Sequence, residues 1–534
     1  LYDINKWLRI RKDLYLQLER QVRHRLGEDT PELMQYHKVY QAEFSKRWSI
    51  SSQKDLWSEI DRSQVVIVGD FHALHQSQKA QVRILRNAPK KRKKILAIEF
   101  IDAADQDTLD KFMAGRLSEK DFLKKTNWSE RWGFPWENYR PLLRWAQKHK
   151  VPVVAINKIY KKRNANTLKA RDIFAGKKIA EIVKSSPDSL VYVIFGDLHL
   201  AASHIPQEIV KNLEPSFSKK ILRIFQNSEK IYFKLLSQDL DLSTDLVRLS
   251  EKAFCLMSVP PWVKWQNYLM FLEQTYDVEL EGLDYTDHVG RYVKLISEEL
   301  GIPLSTDMLS VYTARDHAFW NKLHEFFDGR QLRWIENLIA EGKSFYLPEI
   351  DAAYLARASV NHAASLAMQF IHAQTSQRKK SFLEVPKDFL QLIWIEAIAY
   401  LGSKMINPKR KTDTIADIKA SLASRGPVEL GKEALQLALA QKMHEMMTIT
   451  RSASSRSLAK TYKKWSYVLA AHLLGGMMGE RLYNGYRNKM LSSQSLVSLL
   501  SKSLENKNFK MAYFEIVEVV ESLPAAFRSK KEKL

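Results

Sequence analysis

The spacing of apolar positions changes character twice along the chain. Up to about residue 62 they recur at helical intervals, at Leu8, Ile10, Leu14, Leu18 and Val22 and then at Leu33, Tyr36, Tyr40 and Phe44. Gly27-Glu28-Asp29-Thr30-Pro31 divides this stretch into two helices, with Thr30 as N-cap and Pro31 at the first helical position, where its missing N–H costs nothing. From Gln64 to about Lys234, short β-branched and aromatic runs alternate with amphipathic stretches. The runs predict strands at 64–68, 95–100, 151–156, 191–195 and 221–225, and the stretches predict helices at 75–87, 104–115, 137–149, 165–184 and 205–213. Connections of this length suit parallel neighbours, so 63–237 is expected to be an α/β, Rossmann-like, mostly parallel sheet domain preceded by a helical segment at 1–62. After about 238 the strand signal fades, and 261–274, 350–373, 386–405, 428–450 and 458–486 read as helices of a large all-α domain extending to 534. Gly475 and Gly479, four apart, are expected to let two of those helices approach closely.

Chemistry concentrates where the predicted strands end. Val66-Ile67-Val68-Gly69-Asp70-Phe71-His72 and Val193-Ile194-Phe195-Gly196-Asp197-Leu198-His199 share five of seven residues, and each breaks from a buried strand at a glycine into an acid and a histidine. In an open parallel sheet, ligands bind outside the carboxyl ends of the strands. Glu99 and Asn157 end two further strands, so one edge gathers Asp70, His72, Glu99, Asn157, Asp197 and His199. His72, His199 and Glu99 form the usual donor set for zinc or another divalent metal, with Asp70 and Asp197 placed to orient the imidazoles. The same histidines serve equally as axial ligands to haem iron. Trp128, Trp132, Trp136 and Tyr139 follow in a segment broken by Gly133 and Pro135, so a loop is expected there, able to wall a flat apolar ligand with Tyr139 as an oxygen ligand. Three readings stay open: a haem or iron binder, a metal-dependent hydrolase in which Glu99, Asp70 and Asp197 support catalysis, and a non-catalytic interaction scaffold.

Composition narrows this only a little. A chain of 534 residues exceeds one hydrophobic core, and 45% apolar with 27% charged content is ordinary for a globular protein. The net charge of +22 lies largely in short runs at 90–94, 161–163, 378–380, 409–411 and 530–533. These are scattered and lack interleaved aromatics, so they read as solvated faces, with no specific nucleic-acid partner expected. Cys255 is the only cysteine, which excludes an intrachain disulfide and a thiolate-built metal site. The longest apolar stretch, 465–479, is interrupted by His472 and reads as a buried helix; no transmembrane segment is expected. Glu396, His362, His372 and His472, on apolar helices, are expected to be core polar groups or a buried pair.

The strand-end residues resemble the ChaN-like family of the haem-binding-uptake and Tiki superfamily over about 64–215. The likeness rests on Gly69 to His72, the Gln78 and Gln81 region, Ala97-Ile98-Glu99-Phe100 with Gln106 and Leu109, the Trp/Tyr segment with Pro141, Ala155-Ile156-Asn157, and Gly196 to Leu200 with Ile205-Pro206. It implies an α/β fold and haem or iron handling, a homodimer that shares its small-molecule ligand, and residence in the bacterial cell envelope or periplasm. It also implies His72, His199, Trp132, Trp136, Tyr139 and Asn157 as cofactor contacts; relatives in the wider superfamily look like metal-dependent hydrolases. Two departures stand out. Asp70 occupies a position where the family usually has a glutamate, one methylene longer, and His75 is the only further histidine close behind the first motif.

Overall fold

The computed structural model describes residues 4–27, 30–88, 92–160, 164–276, 284–314, 316–424, 431–450 and 461–525. The basic runs at 161–163 and 530–533, part of the run at 90–94, and the starts of the helices expected at 428 and 458 lie outside the described residues. The chain forms two compact units, Leu8–Tyr268 and Leu269–Lys533, the latter together with Leu1–Trp7.

The first unit is built on an eight-stranded mixed sheet in the order β1-β7-β8-β6-β2-β5-β3-β4. Its strands are β1 (Ser49–Ile50), β2 (Val65–Asp70), β3 (Lys94–Asp102), β4 (Val153–Asn157), β5 (Leu190–Gly196), β6 (Ile221–Gln226), β7 (Leu246–Ser250) and β8 (Ala253–Leu256). The run from β8 to β4 is parallel, and β7 pairs antiparallel with both β8 and β1. Helices α1 (Ile4–Leu26), α2 (Pro31–Ala42), α3 (Gln53–Arg62), α4 (His75–Asn87), α5 (Gln106–Met113), α6 (Glu119–Lys125), α7 (Trp128–Arg131), α8 (Trp136–Lys148), α9 (Ala165–Ser185), α10 (Ile205–Lys211), α11 (Glu229–Ser237) and α12 (Pro261–Tyr276) precede, connect and follow the strands, the unit beginning at Leu8 within α1 and ending at Tyr268 within α12. Thr30 caps α2 by accepting from the Leu33 amide, with Pro31 at the start as its sequence predicts.

Two features depart from the sequence pattern. β7 and β8 lie beyond residue 238, where only helices were expected; each is a run of four or five residues, too short for periodicity to separate strand from buried helix. The 1–62 segment is also not separate, because from Leu8 onward it belongs to the α/β unit and contributes the edge strand β1.

The sheet order puts the two repeated motifs side by side. After β2 the chain crosses toward β3, whereas after β5 it crosses past β2 toward β6, so β2 and β5 flank a topological switch point. Their register is offset by one relative to the repeat, with Gly69 opposite Phe195 and Asp70 opposite Gly196. Because side chains alternate faces along a strand, that offset sends equivalent motif residues to opposite faces. Val66, Val68, Tyr192, Ile194, Ile98 and Phe100 share the face whose core is completed by α3, α4 and α8. Phe195 lies on the other face, beneath Arg171 of α9.

The second unit is mainly helical: α13 (Thr286–Leu300), α14 (His317–Phe326), α15 (Gly329–Ala340), α16 (Val360–Ser376), α17 (Phe389–Ile406), α18 (Ile415–Ala423), α19 (Lys432–Ile449), α20 (Lys464–Arg487), α21 (Ser493–Leu500) and α22 (Phe509–Glu521). It is not all-α. β9 (Ser310–Tyr312), β10 (Phe345–Leu347) and β11 (Ala352–Tyr354) form a small sheet, so the helix expected from 350 starts only at Val360, where Ser359 caps it. Tyr354 stacks between Phe319 and Phe345, an aromatic packing that holds 352–354 extended despite a helix-compatible apolar run. Among the described residues, α17 alone is long and apolar enough to cross a membrane, and 78% of that stretch is buried within the protein.

Candidate functional site

β2 ends by turning Asp70 into the α4/α8 face, where four donors meet it. Gln78 and Gln81, one turn apart on α4, donate to Oδ1 at 2.7 and 2.8 Å, and Tyr139 of α8 donates to Oδ2 at 2.9 Å. His72 Nδ1 approaches the same Oδ2 at 2.8 Å. Asp70 is therefore locked, and its contact with Nδ1 orients the ring so that Nε2 turns toward Gly196. The His72 side chain keeps 24% of its surface exposed. Trp132 and Phe134 pack against its ring with centroids at 4.7 and 4.9 Å.

β5 builds a counterpart on the opposite face from different residues. His199 follows the strand in a single 3-10 turn, and its Nδ1 meets Asp172 Oδ1 of α9 at 2.6 Å. Tyr36 of α2 donates to the other oxygen of Asp172 at 2.7 Å and lies 2.9 Å from His199 Nδ1. Each histidine is thus held by an aspartate that is itself held by a tyrosine. Asp197 does not orient His199, contrary to the sequence expectation: the one-residue offset turns it toward Tyr40, whose hydroxyl it accepts, and toward the Gln226 amide at 3.1 Å. Asp197 also presses on β2, since a Cβ at Gly69 would lie 1.7 Å from its Oδ1.

The two halves converge on Gly196. A Cβ there would sit 3.4 Å from His72 Nε2, 3.4 Å from His199 Cδ2 and 3.5 Å from Glu99 Oε2. Glu99 is buried and committed: its Oε2 accepts from the Gly196 amide at 2.5 Å, and its Oε1 pairs with Arg171. Arg171 also donates from Nε to Asn157 Oδ1 at 2.9 Å, leaving Asn157 Nδ2 buried without a partner among the described residues. The ion pair and the amide withdraw Glu99 from metal ligation. Among the described residues no three His, Cys, Asp or Glu side chains are set to hold a metal ion, so the zinc alternative finds no support.

The aromatic segment is not the loop its glycine and proline suggested. Gly133 at φ +78° closes α7, and Pro135 serves as N-cap of α8, so the break is a helix junction. Trp128 and Trp136 pack on each other at 5.0 Å, and Trp136 faces Phe112 and Phe122 in the core. Tyr139 spends its hydroxyl on Asp70 and is fully buried. Of the expected cofactor contacts, the structure gathers His72, Trp132 and Tyr139 on one side and His199 and Asn157 about Glu99 and Arg171 on the other; Trp136 stands apart. Tyr36, Tyr40, Arg171 and Asp172 escaped the sequence reading. Asp172 had left a trace, an acid within the apolar stripe Leu168, Ala175, Gly176 and Ile179 of α9.

Residues 56–165 match the family model described as haem-binding uptake, Tiki superfamily, ChaN. This part of the chain is ChaN-like. The matched segment holds Asp70, His72, Glu99, Trp132, Tyr139 and Asn157, while His199 lies beyond it. A solved structure described as cofacial heme binding to ChaN of Campylobacter jejuni aligns at 17% identity with a TM-score of 0.27, covering 34% of this chain and 89% of that one. No curated protein matches the chain.

Burial pushes the Asp197 and Asp172 carboxyls up from the usual carboxylate range to about 7 each. A folded-state pKa raised in this way contributes stability that is full below the unfolded value near 4 and is lost as pH rises through about 7. Wild-type Tm is therefore expected to fall between pH 5 and pH 8. Asp197→Asn, which cannot ionise, should flatten that fall in a series of thermal melts; an unchanged slope would contradict the assignment.

Proposed function

We propose that the α/β unit binds haem at the carboxyl edge of β2 and β5, where His72 would hold it through Nε2. One observation carries this reading: His72, fixed through Nδ1 by Asp70, directs Nε2 toward the Gly196 backbone, the same spot that His199 and Glu99 face. The donor chemistry fits the group, because a partly exposed imidazole with a carboxylate-bonded Nδ1 is a strong ligand for haem iron. Bound haem would supply an iron able to take an imidazole nitrogen. Trp132 and Phe134 give the flat ligand an apolar wall beside His72. Behind Trp132, the cavity bounded by Phe100, Asp102 and Arg131 measures only about 10 Å³.

Haemin titration tests the proposal. A Soret band that saturates with wild type and is lost in His72→Ala/His199→Ala supports it; no spectral change with wild type would sink it. A homodimer sharing the ligand belongs to the same reading, and sedimentation with and without haemin measures it.

A further inference from the structure

The helical unit contains a cavity of about 50 Å³, which by the same measure is room for several water-sized groups. Apolar side chains form most of its wall, among them Trp334, Phe345, Leu347, Phe382, Leu392 and Val468. Its polar lining is nearly all committed elsewhere. Gln369 Oε1 accepts from the Tyr346 amide at 3.1 Å, Ser344 Oγ bonds His362 Nδ1 at 2.7 Å, and Ser381 donates from its amide and hydroxyl to Glu349 Oε1 at 2.7 and 2.8 Å. Glu396 takes His472 Nδ1 at 2.8 Å, and Lys343 is partly exposed and so solvated.

Arg378 is the exception. It is 4% exposed and lines the cavity, yet its Nε and Nη2 have no hydrogen-bond partner among the described residues. Glu349 and Glu505 are the carboxylates that act on it electrostatically; Ser381 holds Glu349 through Oε1 while its Oε2 is buried and also without a hydrogen-bond partner among the described residues, and Glu505 accepts from the Lys379 amide at 2.7 Å. A buried guanidinium left unpaired is costly, and native proteins ordinarily satisfy such groups. Nε and Nη2 form one edge of the guanidinium, the edge whose two parallel N–H groups receive both oxygens of a carboxylate.

We propose that this cavity is a binding site for a small monocarboxylate with an apolar tail, its carboxylate received bidentately by Arg378 Nε and Nη2 and its tail packed among the aromatic and aliphatic walls. The site lies wholly within the helical unit, outside the segment that is ChaN-like, and the proposal stands independently of haem binding.

Thermal melts and calorimetric titration of the full chain with hexanoate test it, with hexanol and inorganic phosphate as comparisons. Hexanoate is expected to raise Tm, while hexanol and phosphate leave it unchanged. Arg378→Met, which keeps length and apolar bulk, should weaken hexanoate binding about 100-fold while the unliganded variant melts at or above wild type, since an unpaired buried charge has been removed. Leu392→Phe should block hexanoate with Arg378 intact. The proposal is overturned if hexanoate fails to bind wild type, if phosphate stabilises as strongly, if binding survives in Arg378→Met, or if Arg378→Met melts below wild type, the result of a guanidinium paired within the fold.

Discussion

His72→Ala is expected to abolish the Soret band formed with haemin, whereas His199→Ala should leave a weakened one. The two histidines carry the same local sequence but differ in access: the His72 side chain is 24% exposed and that of His199 is 4% exposed. His72 is therefore the more accessible of the two to a ligand from solvent, while His199 reaches the same place beside Gly196 from within the fold. Asp70→Asn probes the support rather than the ligand. Its amide keeps one acceptor oxygen and sets an NH2 in place of the other, so either the Gln78/Gln81 pair or the Tyr139/His72 pair loses its acceptor and the hold on the imidazole is loosened. Haemin affinity in this variant should fall about 10- to 100-fold, with a shifted rather than absent band. Titration of the three variants side by side, with far-UV circular dichroism to establish folding, measures the ranking. A full-strength band in His72→Ala would move the axial nitrogen elsewhere and remove the basis for haem at this edge.

Much of this site could be read from the chain because it stands on strand ends. Buried parallel strands leave unbroken β-branched runs, and the glycine that ends β2 and β5 marks where polar groups emerge, so Asp70, His72, Glu99, Asn157 and His199 were all found at one edge. What a linear repeat does not carry is register. Pairing Asp70 with Gly196 instead of Asp197 separates the two aspartates onto opposite faces, and this is why Asp70 orients a histidine while Asp197 packs against Gly69 and Tyr40. The partners supplied by helices were harder still. Tyr36 and Tyr40 counted as apolar positions in an amphipathic stripe, although each turns a hydroxyl toward a buried carboxylate. Arg171 belongs to no motif, and its pairing with Glu99 leaves no trace in the sequence.

Gly475→Ala and Gly479→Ala are each expected to destabilise the helical unit by about 3 kcal/mol, the upper range for forcing one extra carbon into a close-packed contact. These glycines sit on α20 against α17, where the spacing of four puts them on one face. A Cβ at Gly475 would lie 2.5 Å from Glu396 Cβ and 2.8 Å from the Ala397 amide nitrogen, and one at Gly479 would lie 2.4 Å from the Ala397 carbonyl oxygen. Backbone atoms cannot swing aside as a side-chain tip can, so the two helices would have to separate along their length. The strain reaches the cavity as well, because Glu396 on that same turn of α17 lines the cavity that Arg378 also lines and holds His472. Gly329→Ala is the matching control: the nearest atom to its added carbon is the mobile end of Arg333 at 3.8 Å, and replacing glycine near a helix start should leave stability equal or slightly higher. Urea unfolding of the three variants, followed by helical circular dichroism, is expected to show an earlier transition for the two α20 substitutions and none for the control. Equal midpoints in all three would mean that α17 and α20 are not packed at backbone distance.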